Sequence, residues 1–194
     1  MELYTQAIEK FAQLLTRARA TDLREPAAMS LATIGADRRP AVRTVLLKHM
    51  DERGFVFYTN LQSRKGEQLR GNAHAALCFF WQPLMQQVLV EGTVQAVSDA
   101  EADSYWATRP RDSQLGAWAS RQSQPLNERA QLEKHYAEYQ EKFAGRPVPR
   151  PEYWSGYRVV PDMIEFWCSR PGRLHERERF YREQDTWKRT LIYP

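Results

Sequence analysis

Cysteine is nearly missing from this 194-residue chain: Cys78 and Cys168 are the two, each in an apolar run without C-x-x-C or His–Cys spacing. That excludes a disulfide scaffold and a thiolate zinc site. No apolar run approaches the ~18 residues needed to cross a bilayer. No charged-then-apolar leader follows Met1, so the expectation is a soluble, cytoplasmic protein. Glycine is sparse, nine in all, and no G-x-G-x-x-G or G-x-x-x-x-G-K-[ST] loop occurs. Collagen-like and low-complexity chains are thereby excluded, and dinucleotide and P-loop sites have no support. No Ser or Cys nucleophile motif and no metal-ligand set is present. The net charge of +4 is too small to name a partner by itself.

What the chain does have is arginine, 22 against six lysines. A planar guanidinium grips phosphate and carboxylate at two points, so the excess leans toward oxyanion recognition. Genomic base composition would produce the same excess.

The pattern along the chain is α+β. Leu3, Ala7, Ile8, Phe11, Leu14, Leu15 and Ala18 fall on one face at helical spacing. After Pro26 the pattern turns to strands at 28–34, 41–50 and 55–59, whose short connections predict an antiparallel meander. A short helix over 63–71, strands at 75–81 and 86–97, and an S-x-x-E capping box at Ser98 and Glu101 follow. A long helix is expected over 127–143, with Leu132, Tyr136, Tyr139 and Phe143 inward. Strands return over 157–193, with a hairpin near 183–186. The Pro-rich stretch 147–151 is too short to separate domains, so residues 1–194 read as one domain. The expected architecture is a mostly antiparallel barrel or curved sheet flanked by helices.

Three clusters invite chemistry. In Tyr58-Thr-Asn-Leu-Gln-Ser-Arg-Lys65 a strand ends and two cations occupy the first turn of a helix, against its dipole. They become favourable if an anion docks on the free N–H groups, where Ser63 and Thr59 add hydroxyl donors. A solvated surface pair would read the same way. Arg109-Pro-Arg-Asp-Ser113 follows the helix that opens at Ser98 and runs to about Thr108, with Tyr105 one turn earlier on the face of Arg109. Cations at a helix C-terminus also serve the dipole alone. Arg173, His175 and Arg177 alternate along a segment read as extended, and so point one way. His175 is the best general acid or base on pKa grounds. Lys48 closes the apolar strand 42–47, whose alternation places Arg43, Val45 and Leu47 on one face.

At these residues the chain resembles the pyridoxine/pyridoxamine 5′-phosphate oxidases, a family of FMN enzymes. The stretches are Arg43-Thr-Val-Leu-Leu-Lys48, Phe57-Tyr-Thr-Asn60, Ser63-Arg-Lys65, Gln87-Val88 with Glu91-Gly92, and Arg109-Pro-Arg-Asp-Ser-Gln114. They continue with Gly116 to Ser123, Glu165-Phe-Trp167 and Arg173-Leu-His175. The resemblance implies a split-barrel FMN fold and a homodimer with the flavins at the subunit interface. It places Arg43, Val45, Leu46, Leu47 and Lys48 beside the flavin, and Tyr58, Thr59, Ser63, Arg64 and Lys65 around its phosphate. Gln87, Trp167 and Arg177 would contact the ring region, with Gln122 and Ser123 supplied by the partner subunit. Lys48, Tyr105, Arg109 and Ser113 would hold the substrate phosphate. Arg173 and His175 would be the catalytic pair, orienting the substrate ring for hydride transfer before oxygen reoxidises the flavin and hydrogen peroxide leaves.

Cys168-Ser169, Gln86 and the ending Thr190-Leu-Ile-Tyr-Pro194 depart from the usual family spelling. Two other readings compete. One is a split-barrel flavoprotein with another substrate, like the relatives in phenazine biosynthesis; the set Lys48, Tyr105, Arg109 and Ser113 speaks against it. The other is an Arg-rich nucleic-acid binder, which predicts exposed aromatics among basic residues, whereas the aromatics here occupy core-patterned positions.

Overall fold

The computed structural model describes residues 2–194. Helix α1 (Leu3–Arg19) buries Ala7, Ile8, Phe11, Leu14, Leu15 and Ala18, the face read from spacing. Nine strands follow in one antiparallel sheet: β1 (Ala28–Ile34), β2 (Pro40–Leu46), β3 (His49–Asp51), β4 (Gly54–Asn60), β5 (His74–Trp81), β6 (Gln86–Ala96), β7 (Trp154–Cys168), β8 (Glu176–Glu183) and β9 (Thr186–Leu191). Between them lie α2 (Arg64–Gly71), α3 (Asp99–Thr108), α4 (Arg111–Ala119) and α5 (Arg129–Lys142).

The strand order β2-β1-β5-β6-β7-β4-β3 forces closure. β2 and β3 sit at opposite ends of that path, yet only Leu47 and Lys48 separate them in sequence. Seven strands laid flat would hold these ends about 29 Å apart at ~4.8 Å per strand. Two linking residues span only about 10 Å, so the sheet curls into a split barrel. The seam is hydrogen-bonded on both sides: Leu47 N–H donates to Ala27 O and Lys48 N–H to Val56 O, each at 2.9 Å.

The three-strand meander is corrected at its middle strand. The strand expected over 41–50 breaks at the seam into β2, which pairs with β1, and β3, which pairs with β4, while the other edge of β4 pairs with β7. α1 fills the barrel, with Phe11 edge-on to Phe55 at 4.8 Å and near Phe79 at 4.9 Å. Where β6 crosses β7 the register shifts at Glu91/Gly92, and a Cβ on Gly92 would lie 2.0 Å from Val160 O. Only glycine lets the two backbones approach so closely.

A second apolar layer joins α3, α4 and the segment before β7 through Trp106, Leu115, Phe143, Val148 and Trp154. The capping box forms with both arms, Ser98 and Glu101, at the start of α3. α4 was not expected: Pro110 ends one helix and caps the next. α5 buries none of its own residues; Leu132, Tyr136 and Tyr139 are half-exposed, and only Phe143, just past its end, is buried. The 147–151 stretch is packed, its Val148 carbonyl accepting Trp106 Nε1 at 2.8 Å. No described helix is long and apolar enough to cross a membrane.

Candidate functional site

A cleft of about 1030 Å³ lies between β2, the end of β4, the start of α2 and the α3–α4 corner. Five cations line it: Arg43, Lys48, Arg64, Lys65 and Arg109. Not one Asp or Glu does. Like charges gathered in one cleft without counter-ions repel one another, and an anionic ligand would offset that repulsion.

One end of the cleft is built on the α2 N-terminus. Ser63 caps the helix, accepting from Gly66 N–H at 3.4 Å and donating to Asn60 O at 2.7 Å. A Cβ on Gly66 would meet Leu61 O at 2.2 Å, so the turn needs glycine there. Lys65 is drawn inward and donates to Thr59 Oγ1 at 3.1 Å, Ser63 Oγ at 3.2 Å and Gln122 Oε1 at 2.8 Å, all neutral acceptors. Burial first, and then the Arg43 charge, pull its ammonium down to about 8. Burial, then Arg64, likewise lowers Arg43, which donates to Leu31 O at 3.2 Å and Gln68 Oε1 at 3.0 Å.

The other end is the α3–α4 corner. Arg109 lies over the Trp154 ring at 4.5 Å and donates from Nη2 to Ser113 O at 2.9 Å. Its Nε is buried without any partner, and burial lowers its pKa. A buried donor left unmade is costly, so this end of the cleft suits a ligand that accepts hydrogen bonds. Tyr58 and Tyr105 stack at 4.1 Å and form the floor between the two ends, with Trp154 stacked on Tyr58 at 5.4 Å.

Of the residues expected from sequence, Arg43, Val45, Leu46, Lys48, Tyr58, Thr59, Arg64, Lys65, Tyr105, Arg109, Ser113, Gln122 and Ser123 all line this one cleft. Gln122 and Ser123, which the resemblance assigns to a partner subunit, line the cleft of their own chain, where Gln122 bonds Lys65. Two expectations are corrected. Ser63 is fully buried and Leu47 faces the core, so neither side chain reaches the wall. Arg173 and His175 do not sit on a strand: Arg173 ends a 3₁₀ turn (Pro171–Arg173) and β8 begins only at Glu176.

Gln87, Trp167, Arg173, His175 and Arg177 form a second group, away from the cleft. Gln87 pairs with Trp167 and Trp167 with Arg177, a cross-strand row that continues to Phe80 on β5. The His175 ring lies 4.7 Å from that of Trp167. Its Nδ1 accepts Arg170 N–H at 3.1 Å, so the ring carries its hydrogen on Nε2, as a donor. Arg173 holds φ 60°, next to Gly172 at φ 67°, and Ser123 holds φ 72°. Two of the expected ligand-contacting residues thus sit in a backbone region that non-glycine residues avoid, as strained functional positions do.

The two groups lie near opposite ends of β7. Trp154, on the cleft wall, opens this 15-residue strand and Trp167 is its penultimate residue. An extended strand of that length spans roughly 50 Å at ~3.3 Å per residue.

Comparison with known proteins agrees with this architecture. Residues 15–143 match the family described as Pyridoxamine 5′-phosphate oxidase, and residues 154–194 match the Pyridoxine 5′-phosphate oxidase C-terminal dimerisation region. A pyridoxine/pyridoxamine 5′-phosphate oxidase of Myxococcus xanthus is 56% identical over 96% of this chain and 91% of its own. The crystal structure of PhzG from Burkholderia lata, in complex with tetrahydrophenazine-1-carboxylic acid, superposes with a TM-score of 0.91 at 34% identity, covering 96% of this chain and 92% of that one. A pyridoxamine 5′-phosphate oxidase-related, FMN binding protein from Nostoc punctiforme shares the fold at 18% identity, with a TM-score of 0.78 over 96% of each chain. The chain belongs to the pyridoxamine 5′-phosphate oxidase family.

Proposed function

We propose that this protein is an FMN-dependent oxidase that converts pyridoxine 5′-phosphate and pyridoxamine 5′-phosphate to pyridoxal 5′-phosphate, passing the electrons to oxygen and releasing hydrogen peroxide. The observation that carries the reading is a single cleft lined by five cations and no carboxylate, with the buried Arg109 Nε unpartnered, in a chain of this family. Two anion positions in one cleft suit a phosphorylated cofactor and a phosphorylated substrate. Lys65, Arg64, Arg43 and Thr59 at the α2 N-terminus fit the flavin phosphate. Lys48, Tyr105, Arg109 and Ser113 fit the substrate phosphate, which the half-buried Arg109 guanidinium over Trp154 would hold by charge while Tyr58 and Tyr105 offer a stacking floor. FMN, when bound, supplies the two-electron acceptor that oxygen regenerates. The chain supplies position: the phosphate anchor fixes one end of the pyridine, and Arg173 and His175, with a donor at Nε2, act on its ring.

Those two residues lie near the far end of β7, so we propose that the working unit is a homodimer in which each cleft is completed by the second copy. The sheet face bearing the Gln87–Trp167–Arg177 row also exposes Phe80 and Val42, at 53% and 65%, which a second copy would cover. We take the chain to work as one domain, in the cytoplasm, where its free thiols Cys78 and Cys168 stay reduced.

The test is direct. The purified chain should bind FMN rather than FAD, run at twice its monomer mass, and form hydrogen peroxide with pyridoxal 5′-phosphate from either substrate. A chain that takes up no FMN would refute the reading. The likeness to PhzG favours a second reading, a flavoprotein acting on a tricyclic carboxylic acid. Turnover of such an acid with no turnover of the phosphorylated pyridines would establish it instead.

A further inference from the structure

Glu165, on β7, is 1% exposed and ranks in size among fully buried side chains that are otherwise apolar. A carboxylate so placed is unfavourable unless its oxygens are saturated by well-made charged hydrogen bonds. They are. Oε1 accepts from Arg177 Nε at 2.7 Å and lies 2.6 Å from Nη2, while Oε2 accepts from Arg179 Nε at 3.2 Å and Nη2 at 2.9 Å. The remaining arm of Arg177, Nη1, donates to the Tyr193 backbone carbonyl at 3.2 Å. A guanidinium has five N–H groups. Three are thus committed inside the chain, and two stay free on the outer side of the fork, in the row with Trp167 and Gln87.

We propose that Glu165 is the positioning residue of this site: with the Tyr193 carbonyl it locks the Arg177 fork, so that the two free N–H groups form a fixed two-point donor for an acceptor edge of the flavin ring. This rests on the FMN reading above. A long, flexible side chain held this way loses little freedom when a ligand arrives, which is how a rigid donor gains affinity.

The test is a double-mutant cycle on full-length protein stripped of FMN, read by quenching of flavin fluorescence on titration. Glu165→Gln keeps the shape and removes the charge. It should weaken FMN binding about 10-fold in the native background and leave it unchanged in an Arg177→Ala background. Equal losses in both backgrounds, or none in the native one, overturn the proposal. If Glu165→Gln does not fold, a chain ending at Ile192, which lacks the Tyr193 carbonyl, decides. It should weaken FMN binding about 3-fold, again only when Arg177 is present, and unchanged affinity overturns the proposal. A native chain that binds no FMN defeats the flavin reading and this inference together. A native chain that binds FMN, with a Glu165→Gln variant that binds it as tightly, defeats this inference alone.

Discussion

At the Trp154 end of β7 the cations stand without carboxylates: Arg43, Lys48, Arg64, Lys65 and Arg109 share a cleft with neutral acceptors and aromatic rings. At the Trp167 end three carboxylates have their cations. Glu165 takes Arg177 and Arg179, Glu176 takes Arg170, and Glu178 takes Lys10 and Arg189. The first end is a receptor whose charge balance a ligand must complete. At the second, five cations already share three carboxylates within the chain, and that end offers shape and directed N–H groups. Two kinds of arginine therefore face the two ends of one strand, and the difference indicates which part of a ligand each end would meet: dianionic phosphates at the first, a planar ring at the second.

The largest effect should come from removing the dianion. Pyridoxine without its phosphate leaves Arg109 and Lys48 unpaired, and its kcat/KM should fall ~10⁴-fold or more. Comparable values with and without the phosphate would break the comparison at the cleft end. Next come the residues themselves. The phosphate does not change charge during oxidation, so Arg109→Ala should raise KM with kcat less affected. Arg173→Ala or His175→Ala should instead lower kcat by ~10- to 1000-fold, with FMN content retained. The reverse pattern would mean that the two ends have exchanged roles.

A smaller effect follows from Lys65. Its ammonium titrates at about 8 in the unliganded chain against 10.5 ordinarily. FMN affinity should therefore decline as pH rises through 8, by up to ~10-fold per unit, and Lys65→Met should remove that slope. The stability of the unliganded chain runs the other way. Between pH 8 and 10.5 the unfolded state holds a proton that the folded state has released, so stability rises with pH across that window. Thermal melts of the native chain against Lys65→Met check the sign. The smallest effect belongs to the far end: the Arg170–Glu176 pair is exposed on both sides, so Arg170→Ala should leave the melting temperature unchanged.

Local order was readable where one residue pattern meets one physical demand. The stripe from Leu3 to Ala18 had to be a helix face, Ser98 and Glu101 had to cap, and the turn near 183–186 had to be a hairpin. Long-range pairing was not readable. Nothing within 40–60 says that β4 pairs with β7 almost a hundred residues later, because apolar alternation fits any partner strand. α4 escaped because Pro110 reads as a stop when it is also the start of the next helix, and Gly116 weakens its pattern. The cations at 64–65 were visible as charges placed against a helix dipole, and Arg109 as one of a cluster of cations after a helix end. That Gln122 answers Lys65 within the same chain, and that Ser63 and Leu47 turn inward, depended on burial that no spacing reports.

The two-residue seam at Leu47 and Lys48 gives the molecule an order of assembly. Each hairpin and each helix can form from neighbours in sequence, but Lys48 reaches its place only when the sheet's two outermost strands meet. Such distant contacts are the slow ones in folding. A chain with every element formed and the seam still open would look native by its helix content and yet lack the cleft. Ligand capture should consequently lag behind secondary structure during refolding. The Leu47 and Lys48 amides, which hold the two lips together, should exchange with solvent at a common rate that ligand slows.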